Sequence, residues 1–249
     1  MHQWEDNGIV ISVTRYGEQS AIVRFLTEEH GLFPCMVKGA LSKANRGMYQ
    51  PGNLLHIHWQ ARIEEQLGHA KGELLQSITA ELLQDGLALQ VINAMGALVT
   101  AAVPERIKEK ELFILFSDVS SIIKSIDYDK TRLMRSYAEF EYALLQELGF
   151  GLDLDECAAT GRKDDLIYVS PKSGRAVCRE AGEPYKARML ALPPFLKTPE
   201  SHAEMSQILD ALALTGYFLE GWVLQPEGRK MPDARQRLLM QINSSIESE

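Results

Sequence analysis

Leu54-Leu55-His56-Ile57-His58-Trp59-Gln60 alternates residue by residue, with Leu55, Ile57 and Trp59 on one side and His56 and His58 on the other. A period of two marks a strand with one buried face. Gln50-Pro51-Gly52-Asn53, directly before it, is turn chemistry. The pattern recurs upstream. Residues 8–14 are β-branched and set Ile9, Ile11 and Val13 on one face. Residues 21–27 set Ala21, Val23 and Phe25 against Ile22, Arg24 and Leu26. Tyr16-Gly17-Glu18 separates these two segments, and Glu28-Glu29-His30-Gly31 closes the second. A third strand covers residues 32–38, where Pro34 demands an edge or a bulge. A polar loop spans residues 39–47, and a fifth strand runs from Leu67 to about Ile78. Five short strands in so little chain predict a small closed barrel, of which the OB-fold is the common five-stranded form.

Past Thr79 the period lengthens to that of a helix. Leu87, Val91, Met95, Leu98 and Ala102 make one stripe, ended by Pro104. Leu112, Phe116, Val119, Ile123 and Ile126 make a second, and Leu133, Tyr137, Phe140, Leu144 and Leu148 a third that Gly149 and Gly151 stop. Thr198 before Pro199 and Glu200 reads as the cap of a helix carrying Met205, Leu209, Leu212 and Leu219. Pro232 opens a last helix through Leu238 and Ile242. Within this run, Ser170-Pro171-Lys172-Ser173-Gly174 lies between two short apolar segments as a β-hairpin. The predicted class is α+β. An N-terminal five-stranded OB-fold barrel, over residues 1–79, precedes a mainly α-helical domain over residues 80–249 with a hairpin inserted around 152–194.

Composition narrows the compartment. No apolar stretch approaches the roughly 20 residues that span a bilayer, and the polar start followed by a short apolar run is not a signal peptide. Cys35, Cys157 and Cys178 are too scattered for a disulfide framework. A cytoplasmic protein is expected, with no membrane partner. The net charge of −8 argues against nucleic acid. Its distribution does not: residues 30–63 contain no Asp or Glu, yet they hold Lys38, Lys43, Arg46 and Arg62. A local positive field survives on an acidic protein because charges beyond about 8–10 Å are screened at physiological salt.

Catalytic chemistry has no foothold in the sequence. GxSxG, P-loop and HExxH patterns are missing, and Gly149-Phe150-Gly151 follows a helix rather than a strand. His56 and His58 share a strand face as zinc ligands sometimes do, but no third ligand is evident. Cys157 and Cys178 are spaced like the halves of a zinc ribbon with two of four thiols missing. No enzyme, cofactor or metal is expected. The basic loop is the strongest signal. Lys38, Lys43, Arg46 and Tyr49 stand at the barrel mouth, where cations can track phosphates and an aromatic ring can stack on bases. Arg24 and Arg62 on flanking strands extend the track.

Val37-Lys38-Gly39-Ala40 through Arg46, then Gln50-Pro51-Gly52, resembles the N-terminal signature of the RecO family of bacterial recombination mediators. Tyr16-Gly17-Glu18 and Leu26-Thr27-Glu28-Glu29-His30-Gly31 fit the same signature. A second match begins at Leu148-Gly149-Phe150-Gly151-Leu152-Asp153-Leu154 with Cys157-Ala158-Ala159-Thr160-Gly161. It continues through Tyr168-Val169-Ser170-Pro171-Lys172-Ser173-Gly174-Arg175 to Leu192-Pro193. The resemblance implies an OB-fold, a helical C-terminal domain and no catalytic turnover. It further implies binding of single- and double-stranded DNA, annealing of complementary strands, and help in loading the RecA recombinase. Implied partners are RecR and the acidic C-terminal tail of single-strand-binding protein, with RecA indirect and the nucleoid as location. Some members hold zinc on four cysteines; only Cys157 and Cys178 of that set are present, so the metal is not carried over. Arg132, Arg135, Arg175 and Arg188 are candidates for the basic rim of a tail-binding pocket. Two other readings compete: a protein-interaction adaptor with a structural barrel, and a hydrolase using the acids between Asp153 and Asp165.

Overall fold

The computed structural model describes residues 1–126, 128–198 and 200–246. Five strands open the chain: β1 (His2–Tyr16), β2 (Ser20–Thr27), β3 (Gly31–Val37), β4 (Leu54–Ala61) and β5 (His69–Gln76). They close into a barrel in the order β1-β2-β3-β5-β4, all neighbours antiparallel except β3 and β5. That order is the five-stranded OB-fold. Closure depends on β1, whose second half pairs with β2 and whose first half pairs with β4, with a register shift between Val10 and Ser12. Period-two alternation puts Val23, Phe25, Cys35, Leu55, Ile57 and Trp59 in the interior.

The first strand is twice the length that the sequence suggests, and the reason is a polar residue facing inward. Asp6 alternates with Trp4 and Gly8 toward the interior and is only 7 % exposed. Its carboxylate accepts hydrogen bonds from the backbone N–H groups of Asn7 (2.8 Å) and Glu29 (2.9 Å) and sits 2.8 Å from His30 Nδ1. A buried carboxylate so surrounded is satisfied rather than costly, and it ties β1 to the β2–β3 turn.

Pro34 lies on the weak seam of the barrel. On the side of β3 away from β2, Leu32 O accepts from Arg106 N (2.9 Å) and Met36 N donates to Gly68 O (3.2 Å). Pro34 falls between these two contacts, where no donor is called for.

Helices follow: α1 (Thr79–Gln84), α2 (Gly86–Ala102), α3 (Lys110–Lys124) and α4 (Lys130–Glu147). The Asp85 side chain caps α2, accepting from Leu87 N (2.8 Å) and Ala88 N (3.2 Å). Gly96 lets α2 ride close on β1; a Cβ there would stand 3.1 Å from the Ile11 carbonyl oxygen. Of the second predicted stripe, Leu112, Phe116, Val119 and Ile123 are buried, but Ile126 lies beyond the end of α3 and is exposed. The hairpin becomes a three-stranded sheet, β6 (Leu166–Val169) between β7 (Ala176–Cys178) and β8 (Leu190–Ala191). A short helix α5 (Arg179–Gly182) follows β7.

The next long helix, α6 (Met205–Phe218), starts later than Thr198 would suggest. Glu204 caps it, with the reciprocal Gln207 contact of a capping box. Pro199, read from sequence as its first residue, lies outside the described residues. The last helix, α7 (Asp233–Ile246), packs back on α2.

Secondary structure changes character between β5 and α1, near residue 79, but compactness draws a different line. One unit comprises Met1–Tyr128 with Pro232–Glu249, and the other Asp129–Met231. The physical reason is that α2 covers part of the barrel and α7 covers α2. Among the described residues no helix is long and apolar enough to cross a membrane.

Candidate nucleic-acid interface

The segment between β3 and β4 is a compact strap rather than a loose loop. Turns within it hold Asn45 N and Arg46 N on Ser42 O at 3.1 and 2.9 Å. Gln50-Pro51-Gly52-Asn53 is a type II turn: Asn53 N donates to Gln50 O (3.1 Å), and Gly52 has the positive φ of +87° that this turn requires. The side chain of Asn53, fully buried, staples the strap down. Its amide donates to Gly47 O and Met48 O, both at 3.0 Å. Its oxygen accepts from Ile78 N (3.0 Å) and from the Ser77 and Thr79 hydroxyls (both 3.2 Å).

On this stapled frame Lys38, Lys43 and Arg46 are exposed, and among the described residues none of them has a carboxylate partner. The predicted aromatic member of the set is not available. Tyr49 is 4 % exposed, stands edge-on to Phe25 and accepts a hydrogen bond from Gly72 N (3.0 Å). Burial pushes its hydroxyl pKa up, against the opposing effect of the Gly72 N–H. Tyr49 therefore anchors the strap to the barrel interior and has no free face for a base. Trp59 is likewise interior, its indole N–H given to Leu67 O at 3.1 Å.

Arg24 and Arg62, the two flanking cations, differ in their surroundings. Arg24 faces Glu105 across 3.4 Å on β2, which cancels its charge for a passing phosphate. Arg62 is exposed in the β4–β5 turn, two residues before Glu64 and three before Glu65, with no ion pair among the described residues. A further cation, which the sequence reading did not single out, stands on β5. Lys71, exposed on the outer face of β5, lines a groove of about 650 Å³ together with Lys38, His58, Gln60, His69 and the carboxylate Glu5. The signal for it was the alternation His69, Lys71, Glu73, which lies outside the acid-free window. Trp4 also borders this groove, its ring already stacked on His30 at 4.1 Å and on Trp59 at 5.3 Å.

The four rim arginines of the 129–231 unit behave differently from one another. Arg135 pairs with Glu139 (2.8 Å), donates to Ser201 O (2.9 Å) and lies over the Phe195 ring. Arg175 bridges Asp153 (2.9 Å) and Glu156 (3.3 Å). Arg132 and Arg188 are exposed and, among the described residues, without an ion pair. Of the acids considered for a hydrolase, Asp153 and Glu156 pair with Arg175, Asp164 with Arg162 and Asp165 with Arg179, while Asp155 has no ion pair among the described residues. No group of them converges on a point among the described residues.

Cys157 and Cys178 do meet. The backbone N–H of Cys178 donates to Cys157 Sγ at 3.3 Å, and the Thr160 hydroxyl lies 3.6 Å from Cys178 Sγ. Burial opposes ionisation of Cys157. Hydrogen bonds from Cys178 N–H, the Thr160 hydroxyl and the N–H groups of Ala159 and Thr160 outweigh it, bringing the thiol down to about 6. Reading these two as ordinary core cysteines misses that difference; Cys35, with burial alone acting on it, is pushed up to about 12.

Residues 1–78 match the family model described as recombination protein O N terminal, and residues 83–230 match recombination protein O C terminal. The chain belongs to the RecO family. Its relatives include the DNA repair protein RecO of Phenylobacterium zucineum, 41 % identical across 98 % of both chains. RecO of Rhodospirillum rubrum is 40 % identical over 97 % of both chains. RecO of Brucella abortus is 41 % identical over 98 % of this chain and 97 % of its own. The RecO resemblance of two separated motifs thus extends over nearly the whole length, with the boundary between the two matched regions just after the barrel.

Proposed function

We propose that this chain acts in DNA repair as a recombination mediator. In this reading it binds single- and double-stranded DNA through the basic face of its barrel and anneals complementary strands. It also helps load RecA onto DNA coated by single-strand-binding protein, and it makes or breaks no covalent bond itself. The observation that carries the reading is the strap: Lys38, Lys43 and Arg46 are exposed, rigidly mounted and, among the described residues, unpaired. Elsewhere Arg24, Arg135, Arg162, Arg175 and Arg179 are all matched by carboxylates. Free cations are what a phosphate needs, and their contacts carry no sequence information.

Annealing follows from the same geometry. Neutralising phosphates lowers the repulsion between two strands while the base edges stay open for pairing. RecR and the acidic tail of single-strand-binding protein are the proposed protein partners, and Arg132 and Arg188 the cations left to meet that tail. Binding to chromosomal DNA would place the protein at the nucleoid.

Three phosphate contacts on a single strand give a slope of log affinity against log salt of about −2. Fluorescence anisotropy of a labelled oligonucleotide across a salt series measures it. The double variant Lys43→Glu/Arg46→Glu should lose at least about tenfold in affinity at low salt and show a shallower slope, with an unchanged melting temperature. It should also anneal complementary strands more slowly, whether or not they carry single-strand-binding protein. A folded double variant that binds as tightly as the parent would refute the assignment.

A further inference from the structure

The outer face of the barrel brings together residues that the sequence keeps apart. On β1 and β4, Glu5 stands opposite His58 and Asn7 opposite His56. Glu73 on β5 stands opposite His56. Because side chains alternate along a strand, all five share the outward face while Asp6 and Ile57 between them turn inward. Glu5 is therefore a third donor that inspection of His56 and His58 alone does not reveal.

The donor atoms converge. His58 Nδ1 is 3.0 Å from Glu5 Oε1, and His56 Nε2 is 3.7 Å from Glu5 Oε2. One donor atom from each of the three residues lies within 4.8 Å of the other two. Tetrahedral zinc with bonds of about 2.0–2.1 Å holds its ligand atoms about 3.3 Å apart, so modest side-chain rotation completes the set. Asn7 supplies the outer support that a ligating histidine ordinarily has. Its amide oxygen is 3.1 Å from His56 Nδ1, so a proton held there leaves the Nε2 lone pair facing Glu5. Glu73, with a carboxylate oxygen 4.0 Å from His58 Nε2, adds negative charge on the far side of that ring.

We propose that Glu5, His56 and His58 form a zinc site on the barrel's outer face, with the fourth position open to water or another small ligand. Neutral imidazoles and one carboxylate are a ligand set suited to Zn²⁺, and three protein ligands leave a vacant coordination position. The strands hold the frame without help from the metal, so zinc is not required for folding.

The full-length chain, freed of any polyhistidine tag, is titrated with ZnCl₂ in competition with a chromogenic chelator. Co²⁺ is then substituted to read the visible bands of a tetrahedral centre. One equivalent should bind. Binding should vanish in His56→Ala and His58→Ala and weaken strongly in Glu5→Gln. It should weaken about tenfold or more in Asn7→Ala and persist in Cys157→Ser/Cys178→Ser. His58→Gln serves if His58→Ala lowers the melting temperature. Absence of competitive uptake overturns the proposal, as does binding that survives loss of both histidines or disappears with the two thiols.

Discussion

Asn53 is the residue on which the strap depends. Replacing it with alanine leaves Ile78 N without its partner in a buried place and takes a donor from Gly47 O and Met48 O at the partly buried edge of the strap. Unmade bonds of this kind cost about 1–3 kcal/mol each, partly recovered by relaxation, so Asn53→Ala should lose about 2–4 kcal/mol in urea denaturation. It should also weaken DNA binding, although no charge changes. Cys157 offers a different handle. Its thiol falls from an ordinary 9.0 to about 6 in the folded protein. A lowered acid contributes stability that is fully present above its unfolded value and is lost as pH falls through its folded one. The stability difference between the parent and Cys157→Ser should therefore grow as pH rises between about 6 and about 9. Denaturation curves at three pH values would read it, and a difference constant with pH would contradict the assignment.

Elements were legible where period and burial agree, and obscure where a polar residue faces inward. β2 and β4 could be drawn from the sequence nearly to the residue, because Val23, Phe25, Leu55, Ile57 and Trp59 alternate cleanly. The first half of β1 could not, since Asp6 occupies an interior position that hydrophobicity cannot flag. The roles of the arginines were beyond reach for a related reason. Whether Arg24 or Arg175 is free depends on Glu105 or Asp153, which are remote in sequence and adjacent in space. The same remoteness hid Glu5 from the two histidines. Inside the 129–231 unit, α4 and α6 are joined by a contact of this type. The Thr215 hydroxyl donates to Glu141 Oε2 at 2.6 Å, with both residues fully buried. Thr215→Val keeps the shape but removes a donor from a buried carboxylate. A loss of about 1–3 kcal/mol is expected by thermal or urea unfolding, whereas an effect under about 0.5 kcal/mol would mean that other donors take over.

At the scale of the whole molecule, an acidic protein gathers Lys38, Lys43 and Arg46 on one strap, with Lys71 beside Lys38 in one groove, none of them ion-paired among the described residues. The net charge of −8 is thus a poor guide to what the surface binds. Its two compact units are not successive in sequence, for α7 returns to the first. A fragment of residues 1–128 lacks the helix that packs on α2 and exposes the part of α2 that α7 covers. Such a fragment should melt below the intact protein or aggregate, and fusing residues 232–246 to it through a flexible linker should restore the transition. The arrangement also orders events during synthesis. When the barrel strands have left the ribosome, the helix that seals α2 is still more than a hundred residues from being translated. The first unit begun is therefore the last one finished, and a nascent chain stalled within the 129–231 unit presents an unsealed apolar surface to any chaperone at the exit tunnel.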